Sequence, residues 1–342
     1  MAVLSDFSPR LKAVRLKVCK LQDLCRTLVR GNQQGSRTSP FSAMIVPDKR
    51  MIAEEETKLG KKAVDKISKE SFPLTVFRIL GSPYLRITAL QCTATIFRNF
   101  FFLQYRAASS PGLIPVTRVD HPLDLKIPFL PGKVNVYLDF IAFWVRCLGF
   151  LLRQCGRNAL EPVRNFIENI GQVYAFAAEV YRLNLSTTDR PFYIKRLRFL
   201  LIHAVDPHLM CIPSLHVMIV IRTYTLFKKI TKTLGLEERL AAQAEELWRG
   251  ALAITEAVLY IKQHSVNCIS AAMYAMSRFD SGLFPPAEAE RFASEIFREG
   301  ESLSKEDGDE TREYILALYR RFLDEGEKSE DWKKPLLDFL RK

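Results

Sequence analysis

Residues 211–227, CIPSLHVMIVIRTYTLF, join a turn-forming start to a long apolar run. Pro213 and Ser214 stand where the run begins, and both residue types are common at helix N-termini. The length and composition of the run favour a helix over a strand. We therefore predict that Ser214 caps a helix with His216 in its first turn. The free backbone N–H groups of such a helix start suit a phosphate.

Further apolar stretches of the same character lie on both sides of this segment. Together with residues 214–227 they are residues 87–105, 134–152, 165–182, 250–261 and 265–276. Glycine is scarce, at 15 residues in the chain, and no alternation of period two is sustained. The pattern predicts an all-α fold, a six-helix membrane bundle with helical N- and C-terminal extensions.

Charged residues interrupt each of the longer apolar stretches, so none meets the usual requirement of about 20 mainly apolar residues for a membrane span. Hydropathy alone therefore leaves a soluble helical protein as an alternative. If the helices span a bilayer, the charges must face the interior of the bundle and find partners there. Asp139 and Arg146 are seven residues apart, share a helix face, and are expected to serve each other.

The charge divides the chain into three regions. Residues 1–80 form a basic N-terminal region with an amphipathic and a linker-like part, residues 81–282 the helical membrane domain, and residues 283–342 a charged helical tail that could bind a protein partner. The net charge of +12 indicates an anionic partner such as a phospholipid. Nucleic acid is not expected, because no basic stripe with exposed aromatic residues is evident.

The seven cysteines include no CxxC pair and are expected to be free thiols in apolar surroundings. We therefore predict neither a metal site nor a disulfide framework. The other chemically informative segment is residues 259–268, LYIKQHSVNC, which places His264 between two apolar runs. In a six-helix bundle His216 and His264 lie at the same end. One could attack phosphorus while the other protonates the leaving oxygen, although each could equally be a locally satisfied histidine.

Three of these segments resemble the type 2 phosphatidic acid phosphatase superfamily. Residues 213–216, PSLH, look like its P-S-x-H motif, and residues 260–264, YIKQH, are similar to the histidine motif that follows. Leucine before the first histidine, and residues 124–131, DLKIPFLP, resemble the inositol phosphorylceramide synthase branch. The resemblance covers roughly residues 120–280 in order and topology.

The resemblance implies that His264 is the nucleophile, forming a phosphohistidine, and that His216 is the general acid. Arg190, followed by proline, matches the end of the first family motif and would bind phosphate. Arg182, Ser214 and Lys262 are further candidate phosphate ligands. The family needs no metal or other cofactor. The implied protein is a multi-pass cell-membrane phosphatase or phosphotransferase, and its substrate is a phospholipid or prenyl phosphate.

The chain departs from the family pattern at three places. Cys268 replaces the acidic residue expected four positions after the nucleophile. Asn267 could orient the ring by a hydrogen bond but carries no full charge, and Glu256 could either substitute for the carboxylate or pair with Lys262 or Arg222. Ala257 and Val258 replace the Ser-Arg or Ser-Thr pair expected before the nucleophile, and Leu183 replaces a lysine. Since loss of an acidic partner can slow a catalytic histidine by orders of magnitude, a catalytically degenerate membrane scaffold is an alternative. A soluble helical interaction protein is the other.

Overall fold

The computed structural model describes residues 65–193, 195–298 and 302–342, and these belong to one unit. The basic amphipathic and linker-like segment predicted at the N-terminus lies, up to residue 64, outside the described residues. The helices are α1 Phe72–Gly81, α2 Pro83–Ile96, α3 Phe102–Ser109, α4 Leu123–Lys126, α5 Val134–Leu138, α6 Phe140–Cys155, α7 Leu160–Tyr181, α8 Leu197–Val205, α9 Leu215–Thr233, α10 Ala241–Tyr260, α11 Val266–Phe279, α12 Pro286–Glu295, α13 Lys305–Glu327 and α14 Lys334–Leu340. A π-helical turn, Phe97–Phe101, joins α2 to α3.

The predicted all-α class is confirmed, and each of the six apolar stretches falls on one or more of these helices. Helix α9 is the centre of the core, because it packs against α6, α7, α10 and α11 and is buried on nearly all sides. Helix α11 is buried over Val266–Ser277. Burial of apolar side chains around these two helices supplies most of the driving force for folding.

Two glycines seat the first two helices against the bundle. Gly149 of α6 faces Thr75 of α1 so closely that an added Cβ would lie 2.1 Å from the Thr75 hydroxyl oxygen. Gly171 of α7 faces Cys92 of α2, where a Cβ would lie 3.6 Å from the cysteine Cα. Ser71 caps α1 by accepting a hydrogen bond from the Leu74 N–H. These contacts fix the inner faces of α1 and α2.

A short parallel sheet holds the segment that precedes α9. Strand β1, Val116–Arg118, pairs with β2, Leu185–Thr187, in the register Val116 to Leu185. The Ser186 hydroxyl accepts a hydrogen bond from the Ile212 N–H at 2.7 Å, and the Tyr181 hydroxyl donates to the Pro213 carbonyl. The start of α9 is therefore anchored from two sides.

The C-terminal region packs on the helices that precede it, across the boundary predicted at 282/283. The Ser270 hydroxyl of α11 donates to the Ile315 carbonyl of α13 at 2.9 Å, and the Tyr274 hydroxyl donates to the Trp332 carbonyl at 2.8 Å. Tyr319 is fully buried beside α11. Helix α1, which lies before the boundary predicted at 80/81 apart from its last residue, packs on α6.

Interior charges pair as expected for buried groups. Arg146 donates to Asp139 at 2.9 Å, the partnership that their spacing predicted. Arg222 on α9 contacts Asp280 at 2.9 Å and also the Asn169 side chain. Among the described residues, one helical run, Pro131–Tyr181, is long and apolar enough to cross a membrane, and half of its most apolar window is buried in the protein.

Candidate functional site

The two candidate histidines meet at one end of the bundle. His216 lies in the first turn of α9, and His264 lies in the turn between α10 and α11. The His264 Nε2 is 3.4 Å from the His216 Nδ1, and the ring centroids are 5.4 Å apart. The structure thus joins two residues that are 48 positions apart in the sequence. A contact between two imidazole nitrogens requires one to donate and the other to accept.

Aromatic packing fixes the ring of His216. Tyr137 of α5 stacks on it with centroids 4.4 Å apart, and Phe140 of α6 lies 4.2 Å away at a tilt of 56°. A ring held between two aromatic side chains has little freedom to rotate, so its Nδ1 keeps its direction toward His264.

A narrow cavity surrounds the histidine pair. Its lining consists of Phe100, Gln104, Tyr137, Asp206, His208, Met210, Cys211, Leu215, His216, Gln263 and His264. These residues come from α3, α5, α9, the π-helical turn and the two loops that precede α9 and α11. The site is therefore assembled from distant parts of the chain around one helix start.

Two glutamines of the lining have side-chain N–H groups without a partner among the described residues, and the sequence did not predict either of them. The Gln104 Oε1 accepts a hydrogen bond from the Leu209 N–H at 3.1 Å, and the Gln263 Oε1 accepts one from Arg190 at 3.2 Å. With each oxygen occupied, the amide nitrogens are left as donors, and both are buried without a partner among the described residues. Buried donors of this kind are rare in native proteins. They suit a ligand rich in acceptor oxygens.

Arg190 lies behind this lining. Its guanidinium donates to the Gln263 Oε1 and, at 3.0 Å, to the Asp206 carbonyl. Arg190, the predicted phosphate-binding residue, is therefore next to the cavity but does not line it. Its guanidinium contacts Gln263, which does line it. Arg190 is half-buried, so its field is less screened than that of a surface arginine.

The structure separates the other three predicted phosphate ligands from the cavity lining. Arg182 is exposed and donates to the side chain of Asn99. Lys262 turns away and donates to the carbonyls of Asp124 and Ile127. Ser214 is the N-cap residue of α9, as predicted, but its buried hydroxyl makes no capping hydrogen bond. Lys262 itself has a positive φ of 57°, so it lies at a sharp turn of the backbone.

The segment that resembled the inositol phosphorylceramide synthase branch holds the His264 turn in place. The Asp124 carboxylate accepts hydrogen bonds from the Val266 N–H at 2.9 Å and the His121 N–H at 2.7 Å. The Leu130 N–H donates to the Tyr260 carbonyl at 2.8 Å. Together with the Lys262 ammonium these contacts clamp both ends of the turn. Asp124 is therefore a positioning residue for His264.

No carboxylate takes the place that Cys268 leaves open among the described residues. The Asn267 amide donates to the Val119 carbonyl and accepts from the Tyr314 hydroxyl, so it does not orient His264. The Glu256 carboxylate accepts from the Phe297 N–H at 2.7 Å. The His264 Nδ1 is buried and has no hydrogen-bond partner in the described part of the chain. Both predicted substitutes are thus excluded for this role.

Sulfur and imidazole groups fill the space behind the pair. The Cys211 Sγ is 3.7 Å from the His208 Nε2, which also contacts the Thr188 hydroxyl at 2.8 Å. Burial raises the pKa of the Cys211 thiol, but interactions with Cys268, His208 and His264 outweigh it and hold the pKa well below its usual range. For His208, burial acts to lower the pKa, yet Cys211 raises it above its ordinary value.

Comparisons with known proteins identify no relative. No protein-family model matches the chain, and neither the curated proteins nor the solved structures contain a match. Within the part of the chain that the structure describes, no three His, Cys, Asp or Glu side chains are grouped as metal ligands. The argument for function therefore rests on the chemistry of the cavity itself.

Proposed function

We propose that the protein is a lipid-phosphate phosphohydrolase or phosphotransferase that acts at a membrane through a phosphohistidine on His264. The contact between the His264 Nε2 and the His216 Nδ1, at 3.4 Å, carries the proposal. If His216 donates in this contact, His264 keeps the Nε2 lone pair and bears its own proton on Nδ1. The lone pair and the proton then meet in this contact, and a phosphoryl group that enters between the rings would receive the lone pair at phosphorus and the proton at the leaving oxygen.

In the first step the His264 Nε2 attacks phosphorus and the phosphorus–oxygen bond to the alcohol breaks. The His216 Nδ1 gives its proton to the departing oxygen. Water, or a second alcohol in the transferase, then attacks phosphorus, and the bond from phosphorus to the His264 Nε2 breaks. The attacking oxygen gives its proton to the His216 Nδ1, which restores both histidines. The N–H groups of Gln104 and Gln263 can donate to the nonbridging oxygens, where negative charge is held through both steps.

The finer structural proposal is that the six apolar helical segments cross the bilayer. The acidic and basic residues of α13 run beside α11, which α13 contacts through the Ser270 hydrogen bond. If α11 crosses the bilayer, the charged residues of α13 would lie at membrane depth, and burying charges there is costly. Alkaline extraction of membranes tests the six-span arrangement, because spanning proteins stay in the pellet and surface-bound proteins are released.

A degenerate scaffold is the second candidate, and the unpartnered His264 Nδ1 favours it. No carboxylate of the described residues accepts from this nitrogen, so none of them stabilises the positive charge that develops on the imidazole during attack. The two candidates therefore differ in turnover: the enzyme would react slowly, whereas the scaffold would bind a ligand without reacting.

The test is metal-independent phosphate release from phosphatidic acid and from prenyl phosphates in mixed micelles. We expect His264→Ala to abolish release and to abolish an alkali-stable phosphohistidine detected by mass spectrometry. The matched control is His121→Ala, because the His121 ring stacks on Tyr314 outside the cavity. If the folded protein releases no phosphate from any substrate yet binds phosphate through the cavity, the scaffold candidate replaces the enzyme.

A further inference from the structure

The outer face of α1 and α2 carries an exposed apolar stripe. Its large side chains recur at intervals of three residues along each helix, and Phe77 is 76% exposed and Ile87 61%. The stripe consists of Leu74, Phe77, Leu80, Tyr84, Ile87 and Leu90. Contiguous exposed apolar surface of this kind marks an interaction site more often than singly scattered residues do.

This stripe is not an unfilled part of the core. The inner faces of both helices already pack closely, α1 through Thr75 onto Gly149 and α2 through Cys92 onto Gly171. The outward side chains therefore cannot be buried by a small shift of either helix. These side chains are therefore either exposed to water or covered by a partner outside the described residues.

The charge pattern identifies what covers them. Residues 71–119 contain five arginines and no acidic residue. Arg78, Arg86 and Arg98 are exposed on the same helices and the turn that follows, and Arg164 lies over the ring of Tyr84 at the edge of the stripe. Arg164 pairs with Glu168, but Arg78, Arg86 and Arg98 have no ion-pair partner among the described residues. Apolar side chains beside such arginines are typical of helices that lie in an anionic membrane interface. In a two-fold contact between two copies, this uniformly basic face would repel itself.

The stripe also leads to the histidine cavity. The chain continues from α2 through the π-helical turn into α3, and Phe100 and Gln104 of that continuation line the cavity. A surface that lies on lipid would therefore bring the cavity to the level of the head groups. This step rests on the proposed function.

We propose that α1 and α2 form a membrane-docking surface that inserts the apolar stripe into an anionic lipid interface while its arginines contact the head groups. In this surface-bound arrangement, which is the alternative to a bilayer-crossing segment at residues 87–105, α1 and α2 present the histidine cavity to a lipid phosphate.

Vesicle flotation of the purified full chain tests the proposal without any catalytic readout. We compare neutral phosphatidylcholine vesicles with vesicles containing phosphatidylglycerol. We expect Phe77→Glu with Ile87→Glu to reduce binding by about tenfold or more, because two inserted apolar groups are lost and like charge is added. Arg78→Gln with Arg86→Gln should weaken binding to anionic vesicles alone and remove its salt dependence.

The matched control is Leu125→Glu on α4, since Leu125 is 89% exposed and lies outside the stripe. It should bind like the unchanged protein. Equal binding by all variants would overturn the proposal, and so would a stripe variant that changes only the protein's oligomeric state, because a second copy would then be the occupant. Hydrolysis of a water-soluble phosphate monoester is measured in parallel. If the unchanged protein hydrolyses no such ester, the proposed function is refuted, but the vesicle-binding result still tests the docking surface.

Discussion

Cys268→Asp should convert the candidate site into a faster phosphohydrolase. Cys268 lies in the first turn of α11, four residues after His264. A carboxylate at 268 is therefore the substitution expected to supply an acceptor for the His264 Nδ1, which has no partner among the described residues. The substitution supplies the acceptor that the proposed nucleophile lacks.

The size of the effect follows from the hydrogen bond that would form. A hydrogen bond to a charged group contributes about 1.5–3 kcal/mol. If that energy is realised mainly when the imidazole becomes positive, the rate of phosphohistidine formation rises roughly 10- to 150-fold. The new carboxylate is fully buried, because Cys268 is 0% exposed. We expect a loss of about 1–3 kcal/mol in the free energy of unfolding from its desolvation.

The assay is initial-rate phosphate release as a function of pH. Burial and the neighbouring low-pKa Cys211 thiol both disfavour ionisation of an Asp at 268, so the gain should be small at acidic pH and grow as that Asp ionises. Cys268→Asn is the matched control, since it has nearly the same shape and no charge. Equal rates for folded Asp and Asn variants across the pH range would refute the claim that a missing carboxylate limits the reaction.

Three further outcomes are expected. Gln104→Leu should raise KM about tenfold for a phosphate ester with a smaller change in kcat, measured by steady-state kinetics, because a buried donor to the ligand is lost. Asp124→Ala should lower the free energy of unfolding by about 1–3 kcal/mol in urea titration, since two backbone N–H groups lose their acceptor. His208 should titrate above about 6.5 by NMR, so its stabilising contribution is present below that pH and is lost as the pH rises through the raised value. Cys211→Ser should bring the His208 pKa below about 6.5, because burial then dominates, whereas Cys147→Ser at another buried cysteine should leave it unchanged.

The sequence predicted the elements of the site better than their surroundings. The apolar runs around His216 and His264 define helix starts by local rules, and these starts do meet. Lys262 was misplaced because its partners are the carbonyls of residues 124 and 127, which lie 138 and 135 positions earlier in the chain. No local pattern reports such a tertiary contact.

In the C-terminal tail, too, the sequence predicted the helices but not their tertiary contacts. Its amphipathic pattern predicted helices, and α13 and α14 are helices. The pattern did not predict that Tyr319 and Phe322 would be fully buried. A charged helix with one apolar face can pack on its own core or on a partner, and the sequence contains no information that separates the two.

The unsatisfied groups around the cavity argue for a ligand in either candidate function. Each buried polar group without a partner costs about 1–3 kcal/mol, and the described lining contains three such nitrogens, on Gln104, Gln263 and His264. His208 in the same lining adopts a φ of 60°, a strained region for a residue other than glycine. A purely structural helix junction gains nothing from these costs, because an apolar lining would pack there without them. A bound oxyanion could accept from the Gln104 and Gln263 N–H groups, while the His264 Nδ1 still lacks an acceptor among the described residues. Inorganic phosphate should therefore raise the thermal stability of the protein in a concentration-dependent way, and Gln104→Leu should weaken that stabilisation whether or not the protein turns over a substrate.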